Sequence, residues 1–252
     1  MILYISKIRA FFVHLMISIV VGGVMSAAVV IFLYPFPYVF ISGGAGLFLL
    51  LVVVDIVLGP LLTFVLFNPR KDRREKLLDF SVVACLQVCA LAYGMLSAYE
   101  ARPIHVVFEY DRFRVIHAND IPEELIPLAP KDIVAIPRMG VTWLALRPLN
   151  SLESFNFTMQ ALDGVAVSAQ TRLWISYSQG LPEILKEAKS LKELLNRFPD
   201  RKEEIFDAAV REGMDVGRIK YLPIQGRKNI AWTVFLNAQT GQPIGYLDLD
   251  SF

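Results

Sequence analysis

Cysteine is close to absent from this 252-residue sequence: Cys85 and Cys89 are the only two. None follows, so the C-terminal part of the chain must stand on its hydrophobic core and not on disulfide staples. The two cysteines lie four apart, on one face of any helix, a geometry that an unstrained helix rarely bridges. They read as small residues in apolar surroundings, not as redox or metal chemistry. Histidine is scarce as well, at three residues, His14, His105 and His117. No cysteine or dense carboxylate group completes a ligand set around them, so no metal is expected. The glycines form no phosphate-binding loop, and no Gly-x-Ser-x-Gly elbow is present. Nothing in the chain points to catalysis, and no cofactor is expected.

Charge is also missing, in three long stretches. Phe11–Leu33 carries none and has only His14 as an ionisable group; Ala45–Phe67 carries one, Asp55; Phe80–Ala98 carries none. Each is about 20 residues long, enough at 1.5 Å per residue to cross a hydrocarbon layer of roughly 30 Å. Lys7 and Arg9 precede the first stretch, nothing charged lies in Tyr34–Gly44, and Arg70, Lys71, Arg73, Arg74 and Lys76 fill the second connection. By the positive-inside rule the N-terminus and the 68–79 loop face the cytoplasm, and three crossings put everything after Glu100 outside, in a bacterial periplasm. A cleaved signal peptide is the weaker alternative, because the apolar run continues past Ser26-Ala27-Ala28 to Leu33.

The expected fold is therefore a membrane protein. An N-terminal bundle of three transmembrane helices (residues 1–99, with spans of about 11–33, 45–67 and 80–98) is followed by a periplasmic α+β domain (residues 100–252). Residues 1–99 hold seven of the 25 Lys/Arg and four of the 24 Asp/Glu, a net of +3, and the remainder carries a net of −2. Topology alone accounts for the basic loop, and a nucleic-acid surface is excluded.

In the exported part, alternation predicts a hairpin over Val106–His117, turning at Asp111-Arg112 with Glu109 opposite Arg114 and Tyr110 opposite Phe113. Residues 120–138 read as irregular, Val141–Leu146 as a strand and Leu152–Leu162 as a helix. Further helices are expected over Pro182–Lys189, from a capping pattern at Ser190 and Glu193, and over Asp200–Arg211 with Gly213 as the stop signal. Ile219–Pro223 reads as a strand, followed by the hairpin Ile230–Leu236 and Ile244–Leu249, with Asp248 and Asp250 on the solvated face of the last strand. Tyr34-Pro35-Phe36-Pro37-Tyr38 reads as aromatic anchoring at the outer interface. Pro60 is expected to interrupt the second membrane helix, and Asn68-Pro69 to end it.

Asp55 has the strongest claim to a function. A carboxylate costs roughly 2.5–3.5 kcal/mol at the centre of a membrane helix, so it faces a partner, a cavity or a pathway. His14 lies about 12 Å nearer the cytoplasmic side, which argues against direct pairing unless the Gly59-Pro60 break draws the two levels together. His14 then reads as an interfacial residue. His105 and His117 bracket the first hairpin, on opposite faces.

Several strings together resemble the TfpX/TfpZ family of type IV pilin accessory proteins. They are Lys7-Ile-Arg-Ala-Phe-Phe-Val-His14, Val54-Asp-Ile-Val-Leu-Gly-Pro-Leu-Leu-Thr63 with Phe67-Asn-Pro69, Ala90-Leu-Ala-Tyr-Gly94, Ala101-Arg-Pro-Ile-His-Val-Val-Phe-Glu-Tyr-Asp-Arg-Phe113, and Thr240-Gly-Gln-Pro-Ile-Gly-Tyr-Leu-Asp-Leu249. The chain is not itself a pilin, since a pilin has a glutamate near the start of its mature helix and the first one here is Glu75. The resemblance implies a non-enzymatic inner-membrane protein that binds the type IV pilin subunit and modulates pilus assembly. Its implied partners are that subunit, the inner-membrane assembly machinery and the lipid bilayer. Asp55, Gly59, Pro60 and His14 are the candidate docking surface for the pilin helix, with Asp55 meeting the pilin amine. The alternatives are a membrane enzyme modifying pilin or envelope glycans, and a periplasmic sensor without its own output domain.

Overall fold

The computed structural model describes residues 2–68, 70–162, 164–209 and 215–252; Pro69, Arg211 and Gly213, which the sequence reading used as boundaries, lie outside them. The chain forms two compact units. One comprises residues 1–36 and 44–101, the other residues 37–43 and 102–252.

The first unit is helical. α1 spans Ile2–Ala28 and continues as a π-helical turn over Val29–Leu33; α3 spans Gly44–Leu66 and α4 spans Arg73–Glu100. Between them, α2 is the single turn Tyr38–Ile41. Among the described residues, the stretches Tyr4–Leu33 and Arg73–Glu100 are long and apolar enough to cross a membrane, and Val52–Leu66 is a shorter apolar segment within α3. α1 begins nine residues before its expected span and α4 extends beyond its span at both ends, whereas α3 matches its own to within a residue.

Their packing is inverted relative to a water-soluble bundle. Phe12, Met16, Val20 and Val24 of α1, Val65 of α3, and Leu86, Val88 and Tyr93 of α4 point outward. Several buried positions are small or polar, Ser18, Gly22, Gly59, Pro60, Thr63 and Gly94, and they lie beside buried Val29, Leu33, Val52 and Val83. A Cβ on Gly22 would come within 3.1 Å of Val52 and 3.3 Å of Ile56, so glycine there sets how closely α1 and α3 approach. Small residues inside and large apolar ones outside are what helices need when the solvent is hydrocarbon, since lipid tails are as apolar as leucine. The two long apolar helices and the sheet unit fit a membrane-anchored α+β protein. Pro60 does not interrupt α3, which runs through it, and it is buried.

The second unit is built on a mixed sheet. Its strands are β1 (Pro103–Glu109), β2 (Arg112–His117), β3 (Thr142–Leu146), β4 (Trp174–Ser176), β5 (Lys189–Ser190), β6 (Ile219–Gln225), β7 (Ala231–Asn237) and β8 (Pro243–Leu247). They lie in the order β4-β3-β1-β2-β6-β7-β8, with β5 paired to part of β6. The β1/β3 and β2/β6 pairs are parallel and the others antiparallel. The helices are α5 (Ser151–Leu162), α6 (Tyr177–Glu187), α7 (Leu191–Arg197) and α8 (Lys202–Ala209). Ser176 caps α6 in a reciprocal box with Gln179, and the Ser190 side chain accepts from the Glu193 amide to start α7. Pro182 therefore lies inside α6, and the helix starts a turn earlier than proline suggested.

The first hairpin is shifted by one residue from expectation. Its turn is Tyr110-Asp111, with Tyr110 at φ 61°, so Glu109 faces Arg112 and Phe108 faces Phe113. Glu109 still pairs diagonally with Arg114, at 3.3 Å. The shift places Phe108 and Phe113 in edge-to-face contact on the core face, and Asp111-Arg112, not a favoured two-residue turn, does little to oppose it. β8 ends at Leu247, so Asp248 and Asp250 follow the strand and do not line one of its faces.

One sheet face carries Val106, Phe108, Val115, Leu222 and Val234 and is covered by Ile184 and Ala188 at the end of α6, and by α2. The opposite face is covered by α7 and α8 over β6 and β7, and by the 121–136 segment over β1–β3. The role of α2 departs most from the sequence reading. Ile41 is fully buried in this core, Tyr38 nearly so, and Phe40 stacks on Trp232 at 6.0 Å. The Tyr38 hydroxyl shares a hydrogen bond with Tyr246, and burial raises its ionisation far above the ordinary phenol range. A Cβ on Gly226 would lie 2.0 Å from the Ile41 carbonyl oxygen, so that approach is open to glycine alone. Of the aromatic residues in the 34–38 stretch, Tyr34 is buried as well, its hydroxyl donating to the Ala98 carbonyl at 3.1 Å, whereas Phe36 is exposed.

His105 and His117 are separately engaged. His105 packs on Trp174 with ring centroids 4.7 Å apart and bonds to Thr142 Oγ1 at 2.5 Å and the Ala135 carbonyl at 2.9 Å. Burial pushes its ionisation down to about 4, against the opposing pull of the Ala135 carbonyl. His117 bonds to Asp120 at 2.9 Å, and Asp120 also takes a bond from Arg227 at 2.5 Å. Burial lowers His117 as well. A folded-state value below the unfolded one means that stability is complete above about pH 6.5 and is lost as pH falls toward 4. For His105 the loss is on the order of 3 kcal/mol. Thermal melts at pH 7 and 4.5, followed by near-ultraviolet circular dichroism, should show it, and His105→Asn should flatten the difference.

Candidate functional site

α1 presents His14, Ser18 and Gly22 at four-residue spacing, and α3 presents Asp55, Gly59 and Thr63 at the same spacing. Such spacing lines up one face of a helix. The two stripes meet, and Gln87 of α4 closes over them. His14 Nδ1 bonds to Thr63 Oγ1 at 2.5 Å and His14 Nε2 to Gln87 Oε1 at 2.7 Å. The Gln87 amide nitrogen donates to Ser18 Oγ at 3.4 Å and to the Asp55 carbonyl oxygen at 3.3 Å. Its partners fix the Gln87 amide orientation, because the oxygen must face His14 for the nitrogen to reach Ser18 and Asp55. One amide therefore ties three helices together.

Gly59 makes this possible. A Cβ there would lie 2.0 Å from Gln87 Nε2, so any larger residue displaces the amide. Pro60, next to it, removes the donor that would reach the Ile56 carbonyl, and the bond from Gln87 falls on the adjacent Asp55 carbonyl. Beside the seam, α1 and α4 leave an open groove of about 600 Å³, whose wall includes Arg9, His14, Ser18, Asp55, Gln87 and Leu91. A second hollow of about 280 Å³, on the α3–α4 side, also reaches Asp55 and Gln87. Asp55, half-buried and hydrogen-bonded through its side chain to Gln87, thus lines both hollows.

Of the four residues singled out from sequence, the structure brings all to one seam. His14 lies between helices, bonded to Thr63 and Gln87, and Gln87 in turn reaches Asp55. Gln87, Ser18 and Thr63 escaped the sequence reading. A signal was available: each is a polar residue within an apolar run, and two of them continue the four-residue stripes of His14 and Asp55. Among the described residues, no group of three or more His, Cys, Asp or Glu is placed to hold a metal ion.

The fimbrial assembly protein FimB family model matches residues 3–43, which cover α1 and α2. A fimbrial assembly protein of Dichelobacter nodosus, serogroup I, is 33% identical over 237 residues, covering 93% of this chain and 91% of that protein. This chain belongs to the fimbrial assembly protein family. The serogroup E1 protein of the same organism is 32% identical over the same share, and that of serogroups C1 and C2 is 39% identical over 127 residues, half of this chain and 95% of its own length. No solved structure matches the chain.

Proposed function

We propose that this protein is a non-enzymatic accessory factor for type IV fimbriae, of the TfpX/TfpZ kind. In this reading three helices hold it in the bacterial inner membrane and its sheet unit lies in the periplasm. It binds the pilin subunit through the seam of His14, Asp55, Gly59 and Pro60. Membership of a family whose relatives are named fimbrial assembly proteins supports the process. The topology draws support from α2: residues 37–43 share a compact unit with 102–252, so both must lie on one side of any bilayer, as three alternating crossings require.

The observation that carries the docking role is the polar seam opening onto the groove beside α1 and α4. An apolar membrane helix fits such a groove, and a carboxylate at its wall is complementary to a cation on that helix, such as a terminal amine. Asp55 lines both hollows, which supports a role beyond fastening the bundle.

The test is photocrosslinking in living cells from a probe at Val88 on the groove wall, together with Asp55→Asn. We expect a pilin adduct from the probe. We also expect Asp55→Asn to lower pilin co-purification about tenfold, the effect of losing ~1.4 kcal/mol. Normal piliation and normal co-purification in Asp55→Asn would end the assignment of Asp55. Failure to recover pilin from any groove position would end the docking site.

A further inference from the structure

Three peptide links join the second unit to the helices, at residues 36–37, 43–44 and 101–102. Contacts within the second unit bring these links to one end of the sheet. Arg102 donates to the Pro137 carbonyl at 2.6 Å, and its own carbonyl accepts from the Ala118 amide. Ala118 opens the short turn whose Asp120 takes a bond from Arg227 at 2.5 Å. Gly226 lies against the Ile41 carbonyl, and Ile230 lies beside Gly43. β3 starts level with the start of β1, because the two are parallel and His105 pairs with Thr142. The loops 134–140 and 226–230 therefore flank the three links.

These loops combine apolar tips with cations. Val134 and Met139 are 69% and 59% exposed, and Phe40, between the first two links, is 57% exposed while its ring stacks on Trp232. Gly140, at φ 80° and with open space around it, turns the chain back and leaves Met139 at a tip. Arg138 and Lys228 are exposed among them, and neither has an ion-pair partner among the described residues. Asp120, the acid at this end, is already engaged by His117 and Arg227, and Lys131 offsets Asp132 beside it in charge. Single exposed apolar side chains are ordinary in water, but these three surround the links together with two cations.

The links decide what covers this end. On the membrane reading above, on which this rests, the chain leaves the hydrocarbon at these links and enters a polar layer about 5–7 Å thick. Met139 follows the Pro137 carbonyl by two residues and Lys228 follows Gly226 by two, a reach of at most about 7 Å. Both loops thus stay within reach of the headgroups. Apolar tips beside basic residues suit that layer, since the tips meet the acyl boundary while the cations meet phosphate. We infer that the loops 134–140 and 226–230, with Phe40, form a lipid-binding rim. Val134, Met139 and Phe40 enter the surface of the periplasmic leaflet, and Arg138 and Lys228 bind the phosphates of anionic lipids. Lipid contact then holds this end of the sheet unit at the bilayer surface.

The test uses the full chain with Cys85→Ala and Cys89→Ala, carrying an environment-sensitive fluorophore at Val134→Cys, Met139→Cys, Tyr110→Cys or Val88→Cys. Each chain is reconstituted in vesicles of phosphatidylethanolamine with phosphatidylglycerol, or of phosphatidylcholine alone. Both hold a trace of lipid with a nitroxide just below its headgroup. We expect strong quenching at Val134 and Met139, stronger in the phosphatidylglycerol vesicles. Tyr110, exposed at the far turn of the first hairpin and roughly 20 Å away along β1, should be quenched little. Arg138→Glu with Lys228→Glu should abolish the difference between the two lipids. Quenching at Val134 and Met139 no greater than at Tyr110, or equal in the two lipids, would overturn the inference. Val88, within α4, is read with a nitroxide at the end of the acyl chain and keeps the failures apart. Quenching at Val88 without quenching at Met139 removes the rim and leaves membrane insertion intact, whereas none at Val88 overturns both.

Discussion

Replacing Ile41 with aspartate should unfold the sheet unit, although this residue lies far from that unit in sequence, between two apolar helices. Ile41 has no exposed surface, and its backbone carbonyl lies against Gly226. An aspartate there buries a carboxylate without a partner, at a cost of several kcal/mol. That is comparable to the whole stability of a typical domain, about 5–15 kcal/mol. Ile41→Ala is milder, about 2–5 kcal/mol, and should lower the melting temperature by on the order of 10 °C for a unit of this size. Near-ultraviolet circular dichroism and limited proteolysis of the purified full chain measure both. The same packing predicts that residues 102–252 expressed alone will be loosely packed and bind hydrophobic dyes. Fusing residues 37–43 to that fragment through a flexible linker should restore cooperative melting. If Ile41→Asp melts like the parent, α2 is not part of the core.

Gln87→Leu should separate folding from fimbriation. The substitution removes the one amide that joins α1, α3 and α4, leaving His14 Nε2, Ser18 and the Asp55 carbonyl without that partner. Hydrogen bonds between membrane helices average about 0.6 kcal/mol and reach about 1.7, so the chain should still accumulate near its normal level. Without the amide, the wall of the groove loses its polar alignment. On the docking role proposed above, surface fimbriae in a complemented null strain should then fall on the order of tenfold, as a loss of ~1.4 kcal/mol in binding would give. Gly59→Leu should reproduce the defect from the other side, because its side chain occupies the place of the Gln87 amide. Immunoblotting for the protein and counting fimbriae by electron microscopy decide the matter. Full fimbriation in both variants at normal protein levels would reduce the seam to a structural fastening.

The helices of the first unit were legible because they depend on local composition. Long apolar runs, a charged loop and a lone acid are visible without knowing any contact. The hairpin of β7 and β8 was legible for the same reason, as alternation interrupted by a turn. The register of β1 and β2 was not. A one-residue shift in the turn changes which side chains meet, and the edge-to-face pair of Phe108 with Phe113 settled it from the core side. At the seam, the sequence exposed Asp55 and the Gly59-Pro60 pair because such residues are costly in an apolar helix. It concealed Gln87, whose meaning depends on two other helices.

By itself the sequence determined where the chain is apolar, where it is charged and hence which segments suit a hydrocarbon solvent. It also set the strand and helix content of the second unit, through caps, prolines and alternation. Only the tertiary structure decided that Tyr38 and Ile41 of an apolar connection belong to the core of a sheet more than sixty positions away. Only it decided, too, that one glutamine joins three helices. Propensity and patterning act within a few residues, whereas burial is a property of what happens to lie across the fold.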